Sequence, residues 1–241
     1  MIHKYNTLPS TNTEMQNLQS SEKLPEFSVV ITPNQTAGRG QQGNFWESED
    51  GKNLTFSIIL YPIFIEAQHQ FSLSFIVSVA IIDVLKKYLP DLKIKWTNDI
   101  YSGDKKLAGI LIENSIISGK IDYSIVGIGI NVNQTNFVSS APNPVSMKLL
   151  TNREFEPELL LQEILNAIIL LYIKCAGEGV ENIRKEYHKN LYRSDGYYDF
   201  KDKNGLFSAK IIEVDETGCL YLVDSQNKKR CYAFKEIEFV I

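Results

Sequence analysis

Apolar residues recur with a helical period in two stretches of the chain. Leu73, Ile76, Val77, Ala80, Ile81, Val84 and Leu85 fall at i, i+3, i+4 and i+7, with Lys86 and Lys87 in the last turn, where cations suit the helix dipole. Pro90 stops that helix. A second opens at Pro157, a favourable first-turn residue, and runs through Leu161, Ile164, Leu165, Ile168 and Tyr172 to Gly177 and Gly179. Residues 180–192 predict a third helix, and Thr11-Asn12-Thr13-Glu14 reads as a capping box opening a short one near the start. Runs rich in β-branched residues lie between them: Ser28 to Thr32, Leu54 to Tyr61, Lys93 to Trp96, Leu107 to Glu113 and Ile121 to Val132. Such interspersion predicts an α/β (α+β) layer structure built on one sheet.

Beyond Leu191 the pattern shortens. Alternating runs at Tyr197 to Phe200, Phe207 to Val214, Leu220 to Val223 and Arg230 to Phe234 are separated by Lys203-Asn204-Gly205, Glu216-Thr217-Gly218 and Ser225-Gln226-Asn227. They predict an all-β module, a small barrel or sandwich. The 241 residues therefore divide into a large domain, 1–190, and a small one, 191–241.

Composition narrows the function classes. With 44% hydrophobic and 22% charged residues the chain can bury a core, which excludes global disorder. The formal charge of 25 − 29 = −4 offers no overall attraction to polyphosphate or anionic lipid, so neither nucleic acid nor membrane is an expected partner. Cys175, Cys219 and Cys231 show no CxxC spacing and support neither a disulfide framework nor a zinc site. A polar run follows Met1, and charges break the apolar stretches short of the ~20 residues of a membrane span. A soluble cytoplasmic protein is the expectation.

Three stretches carry candidate chemistry. Gln35 to Trp46 connects two strands and holds Gly38, Gly40 and Gly43 around Arg39, a fixed cation able to grip phosphate or carboxylate. It is not a P-loop, because no Gly-Lys-Ser/Thr follows, and a plain surface loop fits it as well. Lys95-Trp96-Thr97-Asn98-Asp99 ends one strand and Lys106 opens another; this is either a turn with an edge strand or a crevice lined by Lys95, Asn98, Asp99 and Lys106. Gly127 and Gly129 interrupt an apolar strand, which they weaken unless something lies close against it. His3, His69 and His188 are scattered without ligand spacing, and Lys228-Lys229-Arg230 reads as a solvated hairpin tip or a contact with an acidic partner surface.

In order along the chain, STNT (Ser10–Thr13), QTAGRGQQGNFW (Gln35–Trp46), KWTNDI (Lys95–Ile100), KLAGIL (Lys106–Leu111) and GIGINV (Gly127–Val132) resemble the biotin protein ligases. The family's patterns are STN, Q-x-x-GRGRRGR-x-W, KWPND, K-x-x-GIL and G-x-G-x-N. The resemblance covers about residues 8 to 135 and implies a class II synthetase-like mixed-sheet catalytic domain followed by an SH3-like β-barrel. It implies ATP, Mg²⁺ and biotin as ligands, biotinyl-5'-AMP as intermediate, and a lysine of the biotin carboxyl carrier protein domain of a biotin-dependent carboxylase as acceptor. A homodimer through sheet edges agrees with the resemblance, although nothing in the sequence specifies one.

By the same resemblance Lys106, Asp99 and Arg39 are the catalytic candidates, with Asp99 positioning or deprotonating the incoming amine. Biotin would be bound by Ser10, Thr11, Asn12, Gln35, Gly38, Arg39, Gly40, Gln41, Lys106, Gly109 and Gly127. Its neutral ureido ring wants hydroxyls and amides rather than charges. Arg39, Trp46, Lys95, Asn98 and Asn131 would meet ATP or the adenylate, with Gly38 allowing backbone contact, Trp46 over the adenine and Asn131 toward phosphate or metal.

The sequence departs from the family at Gln41, Gln42 and Asn44, which replace three arginines, and at Thr97, which replaces proline. Fewer cations predict a leakier adenylate, which Gln41→Arg should slow, and loss of proline's fixed φ predicts a less rigid turn at Asn98 and Asp99. A lipoate or octanoyl ligase shares the fold and the adenylation chemistry, but its RRxxGGGxVxHD pattern is absent. A repressor sensing biotinyl-adenylate needs a DNA-reading element, and only nine residues precede Ser10, so a monofunctional ligase is expected. A binding module without catalysis stays open through the missing loop arginines.

Overall fold

The structure is a computed structural model that describes residues 1–139 and 143–241, without the side chain of Gln42. The chain begins with β1 (Ile2–Lys4), β2 (Thr7–Leu8), α1 (Thr11–Glu22), β3 (Val29–Ile31) and β4 (Asn34–Gln35). Then follow β5 (Leu54–Leu60), α2 (Ser72–Leu85), β6 (Leu92–Lys95), β7 (Asp99–Ser102), β8 (Lys105–Ile117) and β9 (Lys120–Ile130). Helices α3 (Met147–Thr151), α4 (Pro157–Glu178) and α5 (Glu181–Lys189) precede β10 (Tyr198–Asp202), β11 (Gly205–Val214), β12 (Leu220–Asp224), β13 (Lys229–Tyr232) and β14 (Ile237–Phe239).

Seven strands form one sheet in the order β1-β3-β5-β9-β8-β7-β6. Only β1 with β3 is parallel among these pairs, so the sheet is mixed. Each residue of β5 is buried, because its alternate side chains serve different layers. Ile58 joins the large core with α2 and α4, while Ile59 joins a smaller cluster of Leu8, Met15, Leu24, Val30 and Ile125 under α1. Sandwiched among the sheet, α4 and α5, α2 is buried almost all round. Strands β2 and β4 pair in parallel on their own, and the last five strands make an antiparallel sheet, β13-β12-β11-β10-β14, whose Phe200, Ile211, Leu222 and Phe239 continue the large core.

Several expectations change. The helix α1 starts from Ser10 without a side-chain cap, and Thr11 is already helical; its N–H donates 2.8 Å to Gln35 Oε1, so a residue from β4 does the capping. Lys86 is the C-cap of α2 rather than part of its last turn. Strands β1, β7 and β14 and the short α3 carried no periodic signal, being only three to five residues long. Two helical stretches, Ala67–Leu85 and Pro157–Glu178, do have the length and hydropathy of a membrane span, contrary to the sequence reading. Two-thirds of the first is buried inside the protein and one-third of the second.

Candidate active site

The period of two along each strand decides what faces α1. Ser57 on β5, Gly127 on β9 and Leu111 on β8 lie in one cross-strand row, and Thr55, Gly129, Gly109 and Asp99 of β7 in the next. The glycines clear a trench in this face. A Cβ on Gly127 would stand 2.2 Å from Asn12 Oδ1, and one on Gly129 2.3 Å from the Trp46 ring, which also lies 3.0 Å from the Cβ position of Gly109. What presses on the glycine strand is thus two side chains of this protein. Along the trench runs a cleft of about 560 Å³.

The inner end of the cleft is neutral. Ser10, Thr11 and Asn12 are all at most 4% exposed, and Thr11 and Asn12 are fixed by partners on the sheet. Ser57 Oγ lies 2.7 Å from Thr11 Oγ1 and 2.6 Å from Asn12 Oδ1, while Asn12 Nδ2 donates to Glu113 Oε2 at 2.8 Å. Neither Ser57 nor Glu113 stood out in the sequence. The signal was there in the strand period: Glu113 shares its face with Gly109 and Leu111, and Ser57 with Ile59.

The outer end is charged. Lys106 Nζ lies 2.7 Å from Asp99 Oδ1, with a quarter or less of either side chain exposed. Lys95 pairs across the strands with Asp99 and holds its Nζ 5.1 Å from the ring centres of both Tyr101 and Phe239. Burial pushes the Lys95 pKa down, with Asp99 pulling the other way. Arg39 is paired with Glu113, so one carboxylate holds both Arg39 and Asn12.

The glycine-rich segment folds as a tongue bonded to itself. Gly40 N–H donates to Asn44 O, Trp46 N–H to Gly38 O, and Arg39 bridges Phe45, which is 81% exposed at the tip. A Cβ on Gly38 would meet Trp46 O at 2.4 Å and Gln35 Nε2 at 3.0 Å. Gly38 therefore serves the tongue's own backbone, and the room beside it is taken. Trp46 lies on the two glycines with Lys106 Nζ 5.8 Å from its ring, and its buried Nε1–H has no partner among the described residues.

Ser10, Thr11, Asn12, Gln35, Arg39, Gly40, Gln41, Trp46, Lys95, Asn98, Asp99, Lys106, Gly109 and Gly127 all line this cleft. Gly38 and Asn131 do not. Asn131 is 3% exposed, its Nδ2 donating to Val145 O at 3.1 Å and its Oδ1 without a partner among the described residues. The small sheet contributes unexpectedly: Phe234, Ile237, Glu238 and Phe239 close one side. Trp96 Nε1 donates 3.0 Å to Gly218 O, which ties that sheet to the Lys95–Asp99 turn.

A resident metal does not suit these residues. Among the described residues no three His, Cys, Asp or Glu side chains converge, and a lone amide oxygen shut behind the wall does not make an Mg²⁺ cage.

The sequence model of the biotin/lipoate A/B protein ligase family matches residues 5–131, more than half of the chain. The chain belongs to that family. Among curated relatives of this biotin/lipoate ligase-family member, the bifunctional ligase/repressor BirA of Bacillus subtilis is 28% identical over 95% of the chain and 71% of its own length. Biotin--protein ligase 1, chloroplastic, of Arabidopsis thaliana is 31% identical over 75% of the chain and 50% of its own length. In fold, it is similar to the biotin protein ligase from Aquifex aeolicus in complex with biotin and ATP, with a TM-score of 0.81, 21% identity and coverage of 98% and 97%. The mixed sheet with a separate antiparallel C-terminal sheet is the architecture of those structures.

Proposed function

We propose that this protein is a biotin protein ligase: it activates biotin with ATP as biotinyl-5'-AMP and transfers the biotinyl group to a lysine of a carrier domain. The observation that carries the reading is the polarity change along one cleft, from the neutral Ser10–Thr11–Asn12–Gln35 end to the Lys106–Asp99 end. A ureido ring and a carboxylate sit at opposite ends of biotin, and the cleft has that order.

In the first step a biotin carboxylate oxygen attacks the α-phosphorus of ATP and the bond to pyrophosphate breaks. Two anions approach each other, so Lys106 and Arg39 neutralise charge as it builds up, and Lys95 supports them from the nucleotide side. Asp99 holds the Lys106 ammonium in place beforehand, and Glu113 does the same for Arg39. Trp46 leaves the glycine pair to cover the adenine, which gives its buried N–H a route to a partner. The tongue then excludes water from the mixed anhydride.

In the second step the acceptor Nζ attacks the acyl carbon, the C–O bond to AMP breaks, and an amide forms with loss of one proton. Asp99 positions that amine and receives the proton. Asn131 acts from behind by holding the Lys106 segment through Val145. Residues 1–190 form the catalytic domain and 191–241 a small domain that closes one side of the site. The acceptor is the carrier domain of a biotin-dependent carboxylase, and the reaction belongs in the cytoplasm, where ATP and that acceptor meet.

Incubation with biotin, MgATP and a carrier domain, followed by mass spectrometry, tests the whole reaction. One biotinyl increment on the carrier, dependent on ATP, is expected; an unmodified carrier, or lipoyl transfer in its place, contradicts the reading.

A further inference from the structure

Two positions at which the sequence departs from the biotin ligase patterns touch each other. Gln41 stands for a loop arginine and Thr97 for the proline of KWPND. Thr97 Oγ1 is 3.1 Å from the Gln41 side-chain amide oxygen and 2.9 Å from Asn98 Oδ1. A hydroxyl gives one proton and accepts through its lone pairs. The Asn98 amide is oriented by Ile110, so Thr97 satisfies both neighbours by donating to Asn98 Oδ1 while the Gln41 amide turns its NH₂ toward the Thr97 hydroxyl. Asn98 Nδ2 donates to Ile110 O at 2.6 Å, and Asn98 O accepts from Ile110 N at 2.9 Å. An unbroken line of neutral hydrogen bonds thus runs from the glycine-rich tongue through the turn to β8.

We propose that Gln41 and Thr97 form a latch that positions the tongue over the adenylate, taking by neutral hydrogen bonds the part that the family pattern gives to loop arginines. This rests on the ligase reading above for what lies beneath the tongue, but the latch itself is a property of the ligand-free protein. Proline at residue 97 has no hydroxyl, and arginine at residue 41 puts a further cation into a wall already holding Lys95 and Lys106. Each half of the latch is therefore of use only with the other present. The turn is pinned by side chains where proline would fix it by its ring, which reverses the expectation of a looser turn. Restoring the arginine alone by Gln41→Arg removes the latch, so it should not slow adenylate release.

The test compares Thr97→Val, which keeps the shape and deletes the hydroxyl, with Gln41→Met, the double variant, and Thr97→Ser. Hydrogen exchange of residues 38–46 is followed in the ligand-free protein, and release of preformed biotinyl-adenylate in the complex. Each single variant should speed both by about fivefold, the worth of one neutral hydrogen bond. The double variant should be no worse than either single one, and Thr97→Ser should restore the wild-type values. Unchanged exchange in Thr97→Val, or additive effects in the double variant, overturns the latch. Faster exchange with unchanged adenylate release overturns its positioning role. If biotinyl-adenylate does not bind at all, the ligase reading fails while the exchange data still decide whether the latch exists.

Discussion

The two ends of the cleft are built differently. At the inner end Ser10, Thr11 and Asn12 are at most 4% exposed, and Thr11 and Asn12 are held to strand residues of the sheet. The Arg39 pair is looser: Arg39 on the tongue and its partner Glu113, which also holds Asn12, are 44% and 41% exposed, and the tongue makes its backbone bonds to itself. Recognition of a neutral ring needs donors and acceptors at fixed positions, which a buried helix start on a sheet supplies. Chemistry between two anions needs cations that meet charge as it appears and a cover that opens again, which suits half-exposed pairs on a loop.

Breaking the charged end should have the largest effect. Lys106→Ala should slow biotin-dependent adenylation by roughly 100- to 1000-fold, the range for losing one preorganised group facing transition-state charge. Rates within tenfold of wild type would remove Lys106 from the chemistry. Asp99→Ala should slow transfer from preformed adenylate by about 100-fold in single turnover. Wild-type transfer by that variant would leave Asp99 as a turn carboxylate.

Damage to the neutral end should appear in binding instead. Gly127→Ala puts a Cβ 2.2 Å from Asn12 Oδ1, so Asn12 must give up its place against Ser57 and Glu113. Biotin affinity measured by calorimetry should fall by roughly 10- to 100-fold, with adenylation at saturating biotin affected less. An equal loss in both would erase the division between the two ends. Arg39→Ala should accelerate adenylate release by about tenfold, since charge-assisted hydrogen bonds are lost, while biotin binding stays near wild type.

The smallest effect concerns the joint between α5 and the small sheet. His188 Nε2 lies 2.9 Å from Val214 N and 3.1 Å from Val214 O, so it accepts from the N–H when unprotonated and donates to the carbonyl when protonated. Burial lowers the His188 pKa and the Arg184 charge adds to it, outweighing the hydrogen bond with the Val214 backbone and the charges of Glu213 and Glu181, which oppose. The folded state therefore prefers neutral His188. Its contribution is fully present above the ordinary imidazole value of about 6.5 and is lost as pH falls below it through the depressed folded value. Melting temperature should drop further between pH 7.5 and 5.5 for wild type than for His188→Gln; parallel losses would exclude this group as the cause.

Much of the cleft was legible because its residues lie in contiguous motifs. Ser10 to Asn12, most of the tongue, Lys95 to Asp99, Lys106 and the glycine strand all line one cleft. What remained hidden depends on register. Ser57 and Glu113 look like ordinary strand positions until β5, β8 and β9 are aligned, and Gly38 differs from Gly127 only in what lies against it. Asn131 carries the last letter of a glycine motif, yet strand β9 has ended by then and its side chain turns behind the wall. Phe239 was out of reach for a different reason: β14 is three residues long, and only tertiary packing brings it over Lys95.

The most direct test of the account is isotope exchange between pyrophosphate and ATP, with no carrier present and with biotin or lipoate as the acid. Biotin alone should drive exchange, and Lys106→Ala should slow it by roughly 100- to 1000-fold, while Gly127→Ala should reach near-normal rates at high biotin. Exchange driven by lipoate, or none with either acid, would contradict the assignment of this cleft to biotin activation.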